Sequence, residues 1–281
     1  MNGATVESSA PLPLELRLNM LDMRRTLSTM IARARAGDGF TLFTVNLDHI
    51  VKLGGDARFR AAYGRADLIS ADGWPIVWLA RAQDRRRSKR EGAADREMTE
   101  IERTTGADLL EPLCREAARY GLPLYFIGPG PQSQADGIAN LMRRYPALDI
   151  AGCETPNIPG EMDAGFIEAL ARRIGQSRAR ICVVSLGAPK QEILADELRR
   201  RHPDVGFLCV GAALDFISGH ARRAPRWAQR AGMEWLWRMV SDPRRLAMRY
   251  ASCAGALVKM SCPAIFRGSP RFVIAEKDMP A

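Results

Sequence analysis

At 281 residues with 47% apolar content, the chain can bury a sizeable core, which excludes a fibrous or wholly disordered protein and fits one large α/β domain or two smaller ones. Forty-one Lys and Arg against 32 Asp and Glu give a formal charge of +9, which favours an anionic partner: a nucleotide, a nucleic acid or a membrane surface. No apolar run approaches the roughly eighteen residues of a membrane span, and the six cysteines show neither a CxxC pair nor metal-ligand spacing, so a reduced, cytoplasmic protein is expected, soluble or resting on a membrane.

Residues 1–13 lack the basic start and apolar centre of a secretory signal and read as a disordered leader. Leu14–Ala36 carries recurrent apolar residues, and from Leu21 onward their spacing predicts an amphipathic helix that Gly37 ends. Phe40–Val45 is a β-branched and aromatic strand that delivers Asn46 and Asp48, and helical stretches follow at His49–Leu53 and Phe59–Gly64. Asp67–Ser70 is a second strand, and Ala71-Asp72-Gly73 turns it into a helix over Pro75–Arg81. Taken alone, Asp72 is a turn former and helix cap, and Asn46 has the same explanation. Two successive strands nevertheless end on polar side chains able to face one cleft.

Arg81–Arg90 holds six basic residues against one Asp, and through Met98 the chain has almost no apolar pattern, so this stretch reads as an exposed, mobile loop. Glu102–Gly106 then leads into a helix over Ala107–Tyr120, and strands follow at Leu124–Gly128 and Leu148–Gly152, with a helix over Ala135–Tyr145 between them. The strand ending in Gly128-Pro129-Gly130 raises a dinucleotide-binding, NAD-linked oxidoreductase reading. Ser133 at the sixth position and prolines where amides should cradle a pyrophosphate undermine it.

A helix over Met162–Gln176 leads to Ile181–Glu192, a buried strand that runs through Gly187 and Pro189 into a helix over Gln191–Arg200. Ligands of open α/β sheets gather at the carboxyl ends of the strands, which places Lys190 and Gln191 where a donor's phosphate or sugar would meet them. The last core strand, Val205–Val210, ends on Gly211. Strands alternating with ten- to fifteen-residue helices predict an α/β, Rossmann-like, mainly parallel sheet with helices on both faces.

From residue 220 the character changes, with eight Arg against one Glu and one Asp between Arg222 and Tyr250 and with Trp227, Trp235 and Trp237 interleaved. Two readings stand: a helical hairpin whose Trp pack on the sheet while Arg stay in water, or a basic, aromatic surface for a phosphate-bearing ligand or an anionic bilayer. Nucleic-acid binding by this surface lacks any reader motif. The expected organisation is therefore a leader, an α/β domain over residues 14–219 and a basic helical appendage over residues 220–281. Whether a neighbouring subunit covers the appendage stays open.

In this order, Thr44-Val45-Asn46, Ala71-Asp72-Gly73, Glu102-Arg103 with Gly106, Gly187-Ala188-Pro189-Lys190-Gln191-Glu192, Val210-Gly211 with Asp215-Phe216, and Arg223-Ala224-Pro225-Arg226-Trp227 with Glu234-Trp235 resemble the WecG/TagA/CpsF family of bacterial glycosyltransferases. The resemblance implies inverting transfer from a UDP-sugar to a polyprenyl-diphosphate-linked sugar at the cytoplasmic face of the membrane, with no required metal or other cofactor. It also implies a C-terminal appendage that helps bind the acceptor. Asp72 matches the proposed base, and Thr44 and Asn46 match the Thr-x-Asn motif that would orient it. Arg103 and Gln191 fall on motif positions suited to the leaving UDP, with Gly187, Lys190 and Gly211 on the donor side. Arg222, Arg223, Arg226 and Arg238 would hold the acceptor's diphosphate. Two departures bear on the loop around Arg103: a longer Arg-rich insert between Trp78 and Glu102, and Thr104-Thr105 in place of Val-Pro before Gly106.

Overall fold

The computed structural model describes residues 15–90, 100–160, 162–230, 234, 237, 240, 252–258, 260–261 and 271–274; the expected leader lies outside them. Six strands form the central sheet: β2 (Phe40–Val45), β3 (Leu68–Ala71), β4 (Leu124–Ile127), β5 (Ile150–Glu154), β6 (Ile181–Val184) and β7 (Gly206–Cys209). Their order is β3-β2-β7-β6-β4-β5, and every pairing is parallel.

Alternation along each strand splits the apolar residues between two cores. Phe43, Val45, Ile69, Ala71, Ile127, Val184 and Phe207 face one side, where α2 (Leu47–Gly55), α3 (Ala57–Arg65), α7 (Ala164–Gln176) and α8 (Lys190–Arg201) pack. Phe40, Leu42, Leu68, Phe126, Val183 and Leu208 face the other, under α1 (Met23–Ala36), α5 (Gly106–Tyr120), α6 (Pro131–Arg144) and α9 (Ala213–Ser218). The strands read as near-continuous apolar runs because both faces are covered. The α/β architecture with helices on both faces is as expected.

The chain leaves β6 toward β7 but leaves β4 toward β5, in opposite directions across the sheet. Neighbouring connections that diverge open a crevice beyond the carboxyl ends, here between the loops that carry Gly128 and Gly187.

Two expectations change, and one strand was not foreseen. The Arg-rich stretch is helical through residue 90, since α4 spans Trp74–Arg90, and residues 91–98 of the expected loop fall outside the described part. Arg and Lys are good helix formers, so a run without apolar pattern can still continue a helix anchored at its other end by buried Ile76, Val77, Leu79 and Ala80. Ahead of the expected helix lies an unforeseen strand: β1 (Glu15–Leu18) pairs in parallel with β8 (Arg271–Ile274). The appendage is thus not wholly helical. After a short helix, α10 (Arg226–Arg230), and helical residues 252–258, the chain returns as a strand. Asn19 fixes the small sheet beside the main one by bonding the Ile69 N–H at 2.8 Å and the Asp67 carbonyl at 2.7 Å, covering the β3 edge.

The first residue of α5 is Gly106, and a Cβ there would lie 2.6 Å from the Cα of Val210, just beyond β7. Gly106→Ala is expected to lower stability by about 1–3 kcal/mol, the usual cost of overpacking against backbone. Urea unfolding checks this, and an unchanged midpoint would show that the two elements part freely.

Candidate active site

In the β2–β3 ladder, Thr44 faces Ser70 and Val45 faces Ala71, so the next residues, Asn46 and Asp72, emerge side by side. The Asp72 N–H donates to the Val45 carbonyl at 2.8 Å. Asn46 caps α2 by accepting the His49 N–H at 3.2 Å, and its Nδ2 donates to Asp72 Oδ2 at 3.4 Å. The cap therefore fixes which way the Asn46 amide points, and the amide holds one oxygen of the Asp72 carboxylate.

Beneath this pair lies a buried polar chain that sequence reasoning missed. The Thr44 carbonyl accepts from His49 Nδ1 at 2.7 Å and from the Tyr63 hydroxyl at 3.0 Å. A carbonyl only accepts, so Nδ1 carries the proton. The other ring nitrogen, Nε2, lies 3.9 Å from Glu192 Oε1. Glu192 is fully buried, and burial pushes its carboxyl up to about 7, against the opposing pull of the Gln191 hydrogen bond. Tyr63 is raised well above its usual range, by burial first and the Glu192 charge second. His49 and Tyr63 have no distinctive spacing in the sequence. Glu192 stood inside a recognised motif but read only as the start of a helix.

Gln191 is 3% exposed and both ends of its amide are engaged: Nε2 donates to Glu192 Oε1 at 2.7 Å, and Oε1 accepts the Gly211 N–H at 3.0 Å. Expected where a donor's phosphate or sugar would meet it, the Gln191 side chain instead points inward, as the strut under the Gly211 loop. Gly211 has φ +56°, a left-handed conformation that suits glycine, and its carbonyl accepts from the Ser185 hydroxyl at 2.5 Å. Gly187 is exposed, and its carbonyl accepts the Lys190 N–H that opens α8. Lys190 is exposed and its ammonium donates to the Ile158 carbonyl at 3.1 Å. Lys52 ties the rim together by donating to Asp48 Oδ2 and to the Ala188 carbonyl, each at 2.7 Å.

On the other side of Asp72, the segment leading to Arg103 is bonded to β3. The Thr104 N–H donates to the Ala71 carbonyl at 2.9 Å, and the Ser70 hydroxyl donates to the Thr104 carbonyl at 3.0 Å. Thr105, the second residue of the Thr104-Thr105 departure, caps α5 by accepting the Asp108 N–H at 3.1 Å and donating to its carboxylate at 2.8 Å. Arg103 lies 3.2 Å from Asp108 and 3.6 Å from Glu234, and Arg223 lies 2.6 Å from Asp108 and 3.8 Å from Glu234. Two cations and two anions thus join the start of α5 to the appendage.

A cavity of about 480 Å³ opens beside this cluster, lined by Trp74, Arg81, Ile101, Glu102, Arg103, Arg226 and Gln229. Arg81, read from sequence as the junction of a helix and a loop, is held there by donating to the Ile101 carbonyl at 2.8 Å. The structure therefore gathers Asn46 with Asp72, Gln191 with Gly211, and Arg103 with Arg226. Arg222 is exposed and does not line the cavity; Arg238 and Trp235 lie outside the described residues.

Among the described residues, no group of three or more His, Cys, Asp or Glu is placed to hold a metal ion. The glycine-containing turn after β4 is poor in free amides: Gly128 N–H donates to the Glu154 carbonyl at 2.8 Å, and Pro129 and Pro131 have none. Among the described residues no helix is long and apolar enough to cross a membrane. The model of the family described as Glycosyl transferase WecG/TagA/CpsF matches residues 12–261, from before β1 through the helical residues of the appendage, and the chain belongs to that glycosyltransferase family.

Proposed function

We propose that the protein is an inverting transferase that moves a hexose or N-acetylhexosamine from a UDP-sugar to a polyprenyl-diphosphate-linked sugar, at the inner face of the plasma membrane, in cell-surface or exopolysaccharide biosynthesis. The observation that carries this reading is the Asn46–Asp72 pair at neighbouring strand ends, two residues before the Trp74 of an arginine-lined cavity. As the acceptor hydroxyl attacks the anomeric carbon, the Asp72 carboxylate takes its proton, and the bond to the UDP oxygen breaks with its electrons on the leaving phosphate. Asn46 orients the carboxylate, and Thr44 anchors the strand end through the carbonyl shared by His49 and Tyr63.

A donor lying along the carboxyl edge would run from the crevice between β4 and β6 toward β3, roughly three to four strand spacings of about 4.8 Å each. Gly187 and Gly211 line that path with backbone, and Gln191 acts through Gly211 by holding its amide. Arg103 stabilises charge on the leaving phosphate. Arg226, joined by Arg81, holds the acceptor's diphosphate, while Arg223 fastens the appendage to α5.

The test is a panel of UDP-sugars offered with a set of polyprenyl-diphosphate-linked sugars in detergent. One donor should be consumed, only when the acceptor is present, giving a product with inverted anomeric configuration by NMR. Retained configuration, or transfer only from donors lacking uridine diphosphate, would sink this assignment.

A further inference from the structure

We propose that the outer stripe of α4 is a second membrane-docking surface, which seats the protein on an anionic bilayer beside the arginine-lined cavity. This deepens the membrane reading above and rests on it, but it assigns the contact to the catalytic domain and not to the appendage alone.

Trp74, Trp78, Arg81 and Arg85 are spaced four, three and four residues apart, which puts them within about 60° of one another around the helix and spreads them over about 16 Å. Both tryptophans are exposed, at 42% and 56%. The opposite side of α4 is occupied: Ile76, Val77, Leu79 and Ala80 are buried, and Gln83 Oε1 accepts the Phe272 N–H of β8 at 2.8 Å. The buried contacts that hold α4 to the fold therefore lie away from the stripe, of which Arg81 also donates to the Ile101 carbonyl.

Trp74, Trp78, Arg81 and Arg85 also line a shallow hollow that shares Trp74 and Arg81 with the site cavity. A surface seated here would present a lipid-linked substrate directly to that cavity. Indole rings favour the headgroup level of a bilayer, and arginines reach phosphate while their stems stay in apolar surroundings. Beyond the stripe, Arg86, Arg87, Lys89 and Arg90 add positive charge against the single Asp84, so the helix complements a sheet of phosphates.

The experiment is co-sedimentation of the full chain with vesicles of phosphatidylcholine alone or with one third phosphatidylglycerol, at low and high salt. Wild type should bind the anionic vesicles and be released by salt. The double variant Trp78→Ser/Arg85→Glu should lose about tenfold or more in partitioning, with an unchanged thermal midpoint. Reversal of exposed Arg115 and Arg119 on α5, a larger change in charge, should lose little. Asp72→Asn should bind like wild type, so loss of transfer and loss of docking are read separately. The proposal is overturned if wild type ignores the anionic vesicles, if the α4 variant binds them undiminished, or if the α5 reversal costs as much. It is overturned equally if sedimentation without lipid shows a dimer that the α4 variant dissociates, since the stripe would then belong to a second copy of the chain.

Discussion

Asp72→Asn is expected to lower transfer by about 10²–10⁴-fold, the range over which a positioned base contributes, while leaving the thermal midpoint in place. The amide matches the carboxylate in size, and its oxygen can still accept from Asn46 Nδ2. The backbone bond from residue 72 to the Val45 carbonyl does not involve the side chain. What disappears is the ability to take a proton, which matters only as the acceptor oxygen attacks. The loss should therefore fall on kcat, with KM for the donor nearly unchanged. Asn46→Ala is a poorer probe, because the same side chain caps α2 and its removal also loosens the helix. If Asp72→Asn retains more than about a tenth of wild-type transfer, the base lies elsewhere.

The elements that place Asp72 were legible because they obey local rules. β2, β3, β6 and β7 are short apolar runs, and each ends on a turn former or glycine. The pairing of Asn46 with Asp72 follows from two consecutive parallel strands. β1 was not legible: Leu16 and Leu18 alternate over only four residues, and the partner strand begins at Arg271, far along the chain. The helical continuation of α4 was hidden because its outer half buries little and therefore shows no periodicity. Gln191 was read as facing the donor, but its amide bonds Glu192 and the Gly211 N–H, since a motif marks a position without saying whether the side chain points into the cleft or beneath it. His49 and Tyr63 are ordinary helical residues until the fold sets both against the Thr44 carbonyl, a tertiary fact with no local signature. The Arg103, Arg223, Asp108 and Glu234 cluster is of the same kind.

Glu192 should make the protein less stable as pH rises, in a window set by its own titration. Its carboxyl is raised from about 4.5 to about 7, chiefly by burial, so the folded state binds this proton more tightly than the unfolded chain does. The stabilising contribution is complete below pH 4.5, declines as pH rises, and is gone above about 7. A shift of this size corresponds to a penalty on the order of 3 kcal/mol once the buried group is ionised. The groups around it pull both ways: the Gln191 amide and Lys52 favour the carboxylate, Asp48 opposes it, and His49 Nε2 lies 3.9 Å away. Glu192→Gln removes the titration but keeps an oxygen that can accept from Gln191 Nε2, so the Gly211 loop stays supported. The difference in unfolding free energy between variant and wild type, followed by urea denaturation from pH 4.5 to 8, should therefore shift toward the variant by on the order of 3 kcal/mol. Other ionisable groups largely cancel in that difference. A difference that stays flat across the range would mean that Glu192 ionises as if in water, and that the buried chain under Asp72 is wet.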